Sequence, residues 1–334
     1  MSILPAVPDY GALCPMLGWV PAARIKDTIQ CTTQWYKADN RPWLWEHWRS
    51  RFPAANLPHR TENAAMDTIY SDTPAANDGI PGHGGCTMNQ FFCGCQSNLA
   101  HGEPIHSESG IADMILDYFC KCGVPTILFS DNAKSEISKA VNHILHQYAV
   151  QQQTSEPGHQ NQNPAEHRIQ DIKHMTNILL DRTGTPPQFW LLCMLYVIGL
   201  LNHLSCPSNT DKMTPIQAAY GYVPDLSKYL NFHWWQRVLY KNNTKSFPSH
   251  TYEGIGRFVG IADHCGDVLT FLILTDDTQK AIPRSCVRPL DPENPNIRVL
   301  QELLPDGEDD MEDQENITKV VQSLPDGFWV PGQY

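Results

Sequence analysis

Thr126-Ile127-Leu128-Phe129-Ser130-Asp131 is the stretch on which the fold class turns. Apolar β-formers bounded by polar residues read as a short strand buried on both faces, and here the run ends on an acid. Upstream, Ile111, Ile115, Tyr118, Phe119 and Cys122 recur at helical spacing, with Ser107 available as a cap and Gly123 as a stop. Downstream, Ile137, Val141, Ile144, Leu145 and Tyr148 mark one face of a second helix. A strand between two amphipathic helices is the unit of an α/β domain. The carboxyl ends of such strands are where α/β folds place their chemistry, so Asp131 is a first candidate.

Working outward, Met66-Asp67-Thr68-Ile69-Tyr70-Ser71-Asp72 reads as a strand stopped by Pro74, followed by strands over residues 87–92 and 103–106. Between them, residues 78–85 are glycine-rich. They lack the Gly-Lys-Ser/Thr that closes a phosphate cradle and read as a connection. On the other side, residues 151–163 read as a polar loop. A third helix runs from Asn163-Pro164 to about Arg182, and Pro186-Pro187 opens an apolar helix over 189–201. The expectation is a mixed five-stranded sheet flanked by helices, over residues 61–225. After a linker, strands over 257–262, 268–274 and 281–287 make a small C-terminal β module within 226–290. Residues 1–60 read as irregular. Trp43, Trp45 and Trp48 form a patch there that docks on a neighbour, covers the core or is a remnant of a longer protein.

Composition sets bounds on function. The chain has 334 residues, 41% hydrophobic and 18% charged, with 26 prolines; it is no wholly disordered chain, and at about 150 residues per domain it holds two or three domains. The longest apolar run is the one at residues 189–201, too short for the roughly 20 residues of a membrane span, so no membrane role is expected. Met1-Ser2-Ile3-Leu4-Pro5 lacks a basic region before an apolar core, so no secretory signal is expected. The 11 cysteines then read as mostly reduced thiols in an intracellular protein. Net charge is −12, of which residues 291–334 contribute −9, an acidic tail of solvated, flexible character. The remaining chain is near neutral, which excludes a bulk polyanion binder; any nucleic acid must be met by a local patch.

Three acids stand at informative places: Asp72 and Asp131 at strand ends and Glu166 in the first turn of the third helix. Three carboxylates converging at a sheet edge suit hard divalent cations such as magnesium. Two such ions serve both the attacking and the leaving oxygen of an in-line phosphoryl transfer. Each acid also has a plain structural reading. Glu166 could complete a helix start with Asn163 and Pro164, Asp131 could cap a helix, and Asp72 could open a turn. Asp67 competes with Asp72 for the first position, and five places apart on a regular strand the two face opposite sides.

At these residues the chain resembles the integrases of copia-type retrotransposons, whose DDE catalytic core has an RNase H-like fold. The likeness rests on M-D-T-I-Y-S-D-T-P (66–74), S-D-N-A-K (130–134) and N-Q-N-P-A-E-H-R (161–168), with support from D-R-T-G-T-P-P-Q-F-W (181–190), T-P-I-Q-A-A-Y-G (214–221) and G-R-F-V-G-I-A (256–262). It covers about residues 64–290. Asp131 and Glu166 have 34 residues between them, one fewer than the family's spacing, and Ala133 stands where glycine is commoner. The resemblance implies Asp72, Asp131 and Glu166 as catalytic acids holding two magnesium or manganese ions. It implies hydrolysis at a DNA 3′ end followed by strand transfer, and a homo-oligomer on double-stranded element and target DNA, in the nucleus or a retroelement particle. Lys173 lies two turns beyond Glu166, on nearly the same helix face, and would contact DNA; Lys134, His159 and Arg168 are weaker candidates. The tail resembles a connector within a larger polyprotein. The family's two-histidine, two-cysteine zinc module has no counterpart before Asp72, and Cys93-Gly94-Cys95 and Cys120-Lys121-Cys122 lack the usual zinc spacing. Two other functions compete: a catalytically inactive, host-retained nucleic-acid-binding remnant, and an RNase H-like nuclease that cuts without joining.

Overall fold

The computed structural model describes residues 9–34, 50–131, 138–154, 164–242, 253–263, 265–266 and 269–290. Lys134, His159, the tryptophan patch, Asn163 and the acidic tail lie outside the described residues. The chain divides into two compact units, one of residues 27–225 and one built from 1–26 with 226–334. The first therefore begins well before residue 61. Residues 1–60 are also less irregular than expected, since they contain the helix α1 (Ala22–Cys31).

The larger unit is built on a five-stranded mixed sheet of β1 (Ala64–Tyr70), β2 (Met88–Gly94), β3 (Ala100–Ile105), β4 (Ile127–Ser130) and β5 (Gln151–Thr154) in the order β3-β2-β1-β4-β5. The first three strands are antiparallel, while β4 and β5 run parallel to β1. Helices α2 (Ile111–Cys122), α3 (Lys139–Gln147), α4 (Pro164–Thr183), α5 (Trp190–His203) and α6 (Pro215–Tyr220) complete it. This is the RNase H-like arrangement expected: a mixed sheet covered by helices.

Alternation along β1 divides the chemistry of the two faces. Ala64 and Met66 join Phe92 and Leu128 in one apolar cluster with α2 and α3. Their neighbours Ala65, Asp67 and Ile69 point to the other face, where α4 packs against β1, β2 and α5. On α4 the buried positions are Ala165, Arg168, Ile169, Ile172, Met175, Thr176 and Leu179, a three-and-four spacing that lays one stripe on the sheet and leaves the rest to solvent. In α5 nearly every residue is buried, as its continuous apolar sequence requires.

Local chemistry explains the ends. Ser138 accepts from Val141 N–H at the start of α3, and Thr214 does the same for Gln217 N–H at the start of α6, ahead of Pro215. Gly123 closes α2 at φ +93°, where an added Cβ would meet the Pro58 carbonyl at 3.1 Å. Ser107 does not cap as expected: its hydroxyl pairs with that of Ser109, ahead of a short 3-10 turn over Glu108–Gly110.

Two elements depart from the sequence reading. Residues 151–154, read as loop, form β5, an exposed edge strand of Gln-Gln-Gln-Thr held by its ladder to β4 and by the Gln152 amide donating to Ser130 Oγ at 3.1 Å. Among the described residues the second unit has five strands rather than three: β6 (Arg237–Lys241), β7 (Glu253–Ile261), β8 (Phe271–Thr275), β9 (Ala281–Arg284) and β10 (Val287–Pro289), antiparallel in the order β10-β6-β7-β8-β9. Phe232, Phe258 and Phe271 meet edge to face in its core. Part of the expected linker is thus strand β6.

Candidate active site

The parallel register of β1 on β4 aligns Ala64 with Leu128 and Ala65 with Phe129. Asp131 follows directly on the last residue of β4, Ser130, and Asp67 sits midway along β1, the strand beside it. Asp72 falls five residues beyond Asp67 and past the end of β1, in a bend, exposed. The turn there is made by Ser71, whose hydroxyl accepts from Thr73 N–H, and Trp190 Nε1 donates to the Thr73 carbonyl at 2.8 Å.

Electrostatics point the same way. The Asp67 carboxyl is raised above its ordinary value first by burial and then by the negative charges of Asp131 and Glu166. The hydrogen bond from Thr68 N–H, at 2.7 Å, and the positive charge of Lys173 work against that rise. Asp67, Asp131, Glu166 and Lys173 therefore share one electrostatic neighbourhood, drawn from β1, the end of β4 and one face of α4. Glu166 is half-buried and Lys173 exposed, so the cluster opens to solvent on the α4 side.

Gln90 on β2 steadies Asp67's strand, since its amide donates to the Asp67 carbonyl at 3.2 Å and its oxygen accepts from Thr68 Oγ1 at 2.8 Å. Sequence reasoning missed Gln90. The available signal was the polar pair Asn89-Gln90 within the strand that continues into Phe91-Phe92, both completely buried in the fold.

Arg168 differs from the expectation of a DNA contact. It is buried, donates from Nη2 to the Leu201 carbonyl at 3.5 Å and lies near the Cys93 thiol, so it braces α4 on α5. Two helix positions beyond Glu166 means a rotation of about 200°, which turns it into the core. Cys93 and Cys95 are free thiols raised by burial to about 12 and about 11, chemistry opposed to metal binding.

As donors, three carboxylates fit hard divalent cations, and the mutual repulsion felt at Asp67 is what a bound cation would relieve. Among the described residues, no group of three His, Cys, Asp or Glu is gathered closely enough to hold a metal ion. Nor, among them, is any helix long and apolar enough to cross a membrane.

No family model matches the chain, and no curated protein does. Among solved structures, it is similar to a chain of the simian T-cell lymphotropic virus intasome in complex with PP2A regulatory subunit B56 gamma. That match has 15% identity and a TM-score of 0.37, covering 70% of this chain and 83% of that one. It is similar also to the HTLV-2 integrase catalytic core in complex with magnesium, in a trimeric form, at 15% identity and TM-score 0.37, over 49% of this chain and 98% of that one. A third likeness is to the BIV integrase catalytic core, at 16% identity and TM-score 0.36, over 48% and 93%.

Proposed function

We propose that the chain is a retroelement integrase of the copia type, catalysing metal-dependent processing of DNA 3′ ends and their transfer into target DNA. The observation that carries this reading is the charge environment of Asp67, set by Asp131 and Glu166 against Lys173. Acids whose protonation is shaped by one another and by a nearby lysine are candidate functional groups. In this reading Asp67 takes the place of Asp72 as the first acid.

Asp67, Asp131 and Glu166 would hold the ions, magnesium or manganese, which supply positive charge to the attacking and leaving oxygens of the phosphodiester. Asp67 would offer its oxygens from β1, Asp131 from the end of β4 and Glu166 from the first turn of α4. Lys173 offsets the phosphate charge and fixes the backbone of the DNA end. Gln90 keeps Asp67 in register. Water attacks in processing and a DNA 3′ hydroxyl in transfer, so the same carboxylates serve both reactions. Lys134 and His159 stay as sequence-based candidates for DNA contact. A homo-oligomer on double-stranded DNA, in the nucleus or a retroelement particle, belongs to the same proposal.

The test is a strand-transfer assay on a model DNA end with magnesium, comparing the native chain with Asp67→Asn, Asp72→Asn, Asp131→Asn and Glu166→Gln. Loss in all but Asp72→Asn supports the assignment. Equal activity throughout overturns it, cutting without joined product identifies a nuclease, and inactivity of the native chain with either metal identifies a remnant.

A further inference from the structure

The glycine-rich loop between β1 and β2, residues 71–87, is left unused by this function, and the fold builds it firmly. Ala75 N–H donates to the Cys86 carbonyl and Gly85 N–H to the Ala75 carbonyl, each at 2.8 Å, and Ala76 N–H reaches the Gln188 carbonyl, just ahead of α5, at 2.8 Å. Inside the loop Asp78 and His83 are both buried. Asp78 Oδ1 accepts from Ile80 N–H at 2.9 Å, and Oδ2 meets His83 Nδ1 at 2.7 Å. A carboxylate only accepts, so Nδ1 carries the proton and the ring is fixed from behind. The other nitrogen is left over. Nε2 has no hydrogen-bond partner among the described residues, and it is not one of the unpartnered atoms sealed from solvent. The His83 side chain keeps 8% of its surface against 3% for Asp78. His101 shows the closed alternative: its Nε2 meets Glu103 Oε1 at 2.7 Å, and Lys121 pairs with the same carboxylate. Burial opposes both charges there, yet the side chains of Cys122 and Glu103 hold the imidazole up at about 9, and those of His101 and Lys121 hold the acid down at about 2.

The residues around His83 leave room for a partner. Gly82, Gly84 and Gly85 are exposed beside the buried histidine. Gly82 and Gly85 hold positive φ, +85° and +77°, and a Cβ added at either would touch nothing within 4 Å. Among the described residues, the N–H groups of Gly82 and Gly84 find no backbone acceptor. Consecutive residues thus offer two backbone donors and one ring nitrogen, where the flanking residues carry no side chain. Free N–H groups in a glycine turn are the means by which loops meet anionic oxygens. The loop leaves the carboxyl end of β1, and the parallel strand β4 runs on to Asp131 in the same direction. The histidine and the acids therefore belong to one edge of the sheet.

Resting on the integrase reading above, we propose that His83 is a positioning residue that grips a backbone phosphate of the bound duplex DNA. As an imidazolium the ring donates from both nitrogens, from Nδ1 to Asp78 and from Nε2 to a phosphate oxygen, with the N–H groups of Gly82 and Gly84 beside it. The contact is to the backbone and reads no base. Within residues 71–87 the charged side chains besides His83 are the acids Asp72 and Asp78. The loop therefore fixes where the duplex crosses the sheet edge and supplies no bulk attraction. It remains distinct from a nucleotide cradle, whose lysine it lacks.

The test uses the full chain with magnesium and a fluorescein-labelled DNA duplex, with inorganic phosphate as a second probe. Anisotropy measures binding, and carbethoxylation by diethylpyrocarbonate, mapped by mass spectrometry, measures access to His83 Nε2. His83 should react in the free chain and several-fold more slowly in the complex, and inorganic phosphate should give no such protection. His83→Gln, checked for fold by circular dichroism, should weaken duplex binding on the order of tenfold, the scale of one charge-assisted hydrogen bond. A chain that binds the duplex while His83 reacts at its free rate, or a folded His83→Gln protein with native affinity, overturns this inference and leaves the integrase reading standing. A native chain that binds no duplex overturns both. A His83 that stays unreactive in the free chain has a closed Nε2 and overturns the inference too, and protection by inorganic phosphate equal to that by DNA overturns the assignment to a DNA backbone. The protection experiment needs no variant and decides the matter if His83→Gln does not fold.

Discussion

Glu62 and Asp67 are five residues apart in sequence and receive opposite treatment from the same unit. Glu62, just ahead of β1, accepts from Gln96 N–H at 2.8 Å, Ser97 N–H at 2.6 Å and the Ser97 hydroxyl at 2.9 Å, and pairs with Arg60. Asp67, in the middle of β1, is partly buried with one local N–H, and the charges of Asp131 and Glu166 are offset only in part by Lys173. A fold that can satisfy one acid fully has the means to satisfy another. Leaving Asp67 in repulsion is a local cost of the kind that persists where function requires it. If the proposed function holds, the difference separates an acid that holds the fold from one that a bound cation would satisfy.

The largest expected effect breaks the second kind. Asp131→Asn and Glu166→Gln should each lower strand transfer on the order of 100-fold or more, the scale of removing a group that acts on transition-state charge. Their melting temperatures should not fall. Asp72→Asn should stay near native activity. Loss of activity on that substitution, with Asp67→Asn remaining active, would return the first acid to Asp72.

Glu62→Gln addresses the first kind. It leaves the Arg60 guanidinium buried without its partner charge and turns an amide toward N–H donors, at a cost of about 3–5 kcal/mol. For a unit of this size that lowers Tm by roughly 10 °C or more. Thermal melts at neutral pH check it; a shift under a few degrees would mean that Glu62 is replaceable and the contrast false.

Sequence and structure part company where packing, not pattern, decides. The apolar strands and helices of residues 64–147 and α4 and α5 were legible, because burial on one or both faces writes a period into the residues. β5 carries no such period: Gln-Gln-Gln-Thr at an open edge owes its form to the ladder with β4. β6 was lost for another reason, since its partner β7 lies across residues 242–252 and pairing at that distance leaves no local mark. In the candidate site the three acid-bearing segments could be read, but the identity of the first acid could not. The Ser-Asp-Thr-Pro after β1 carries the stronger turn signal, whereas the choice of Asp67 comes from the charges that meet it in the fold. Arg168 looked like a surface cation until the rotation of α4 was fixed by its buried stripe.

A smaller effect sharpens the comparison with a satisfied pair. His101 is held above its ordinary 6.5, so its contribution to stability is complete below that value and is lost as pH rises through about 9. Glu103, held below its ordinary 4.5, contributes fully above that and loses it as pH falls toward about 2. The two overlap between these ordinary values. His101→Gln should therefore cost on the order of 2–3 kcal/mol near pH 6 and almost nothing above pH 9. Melts across pH 5–10 measure it, and a difference constant with pH would remove the charge from the argument.

The smallest effect carries the opposite sign. Because the folded protein raises Asp67 above its unfolded value, its carboxylate is disfavoured in the native state, and the cost is complete at neutral pH. Asp67→Asn should then raise the protein's Tm while removing its activity. The gain should shrink as pH falls through the raised value and vanish below the ordinary 3.8, where both states are protonated. On the proposed function magnesium would supply a counter-charge, so adding it should raise the native protein's Tm and narrow the gap to Asp67→Asn, which would lose a ligand and respond less. If Asp67→Asn instead destabilises the protein at pH 7 as Glu62→Gln does, then Asp67 is a second structural acid, and its charged surroundings hold no place for a metal.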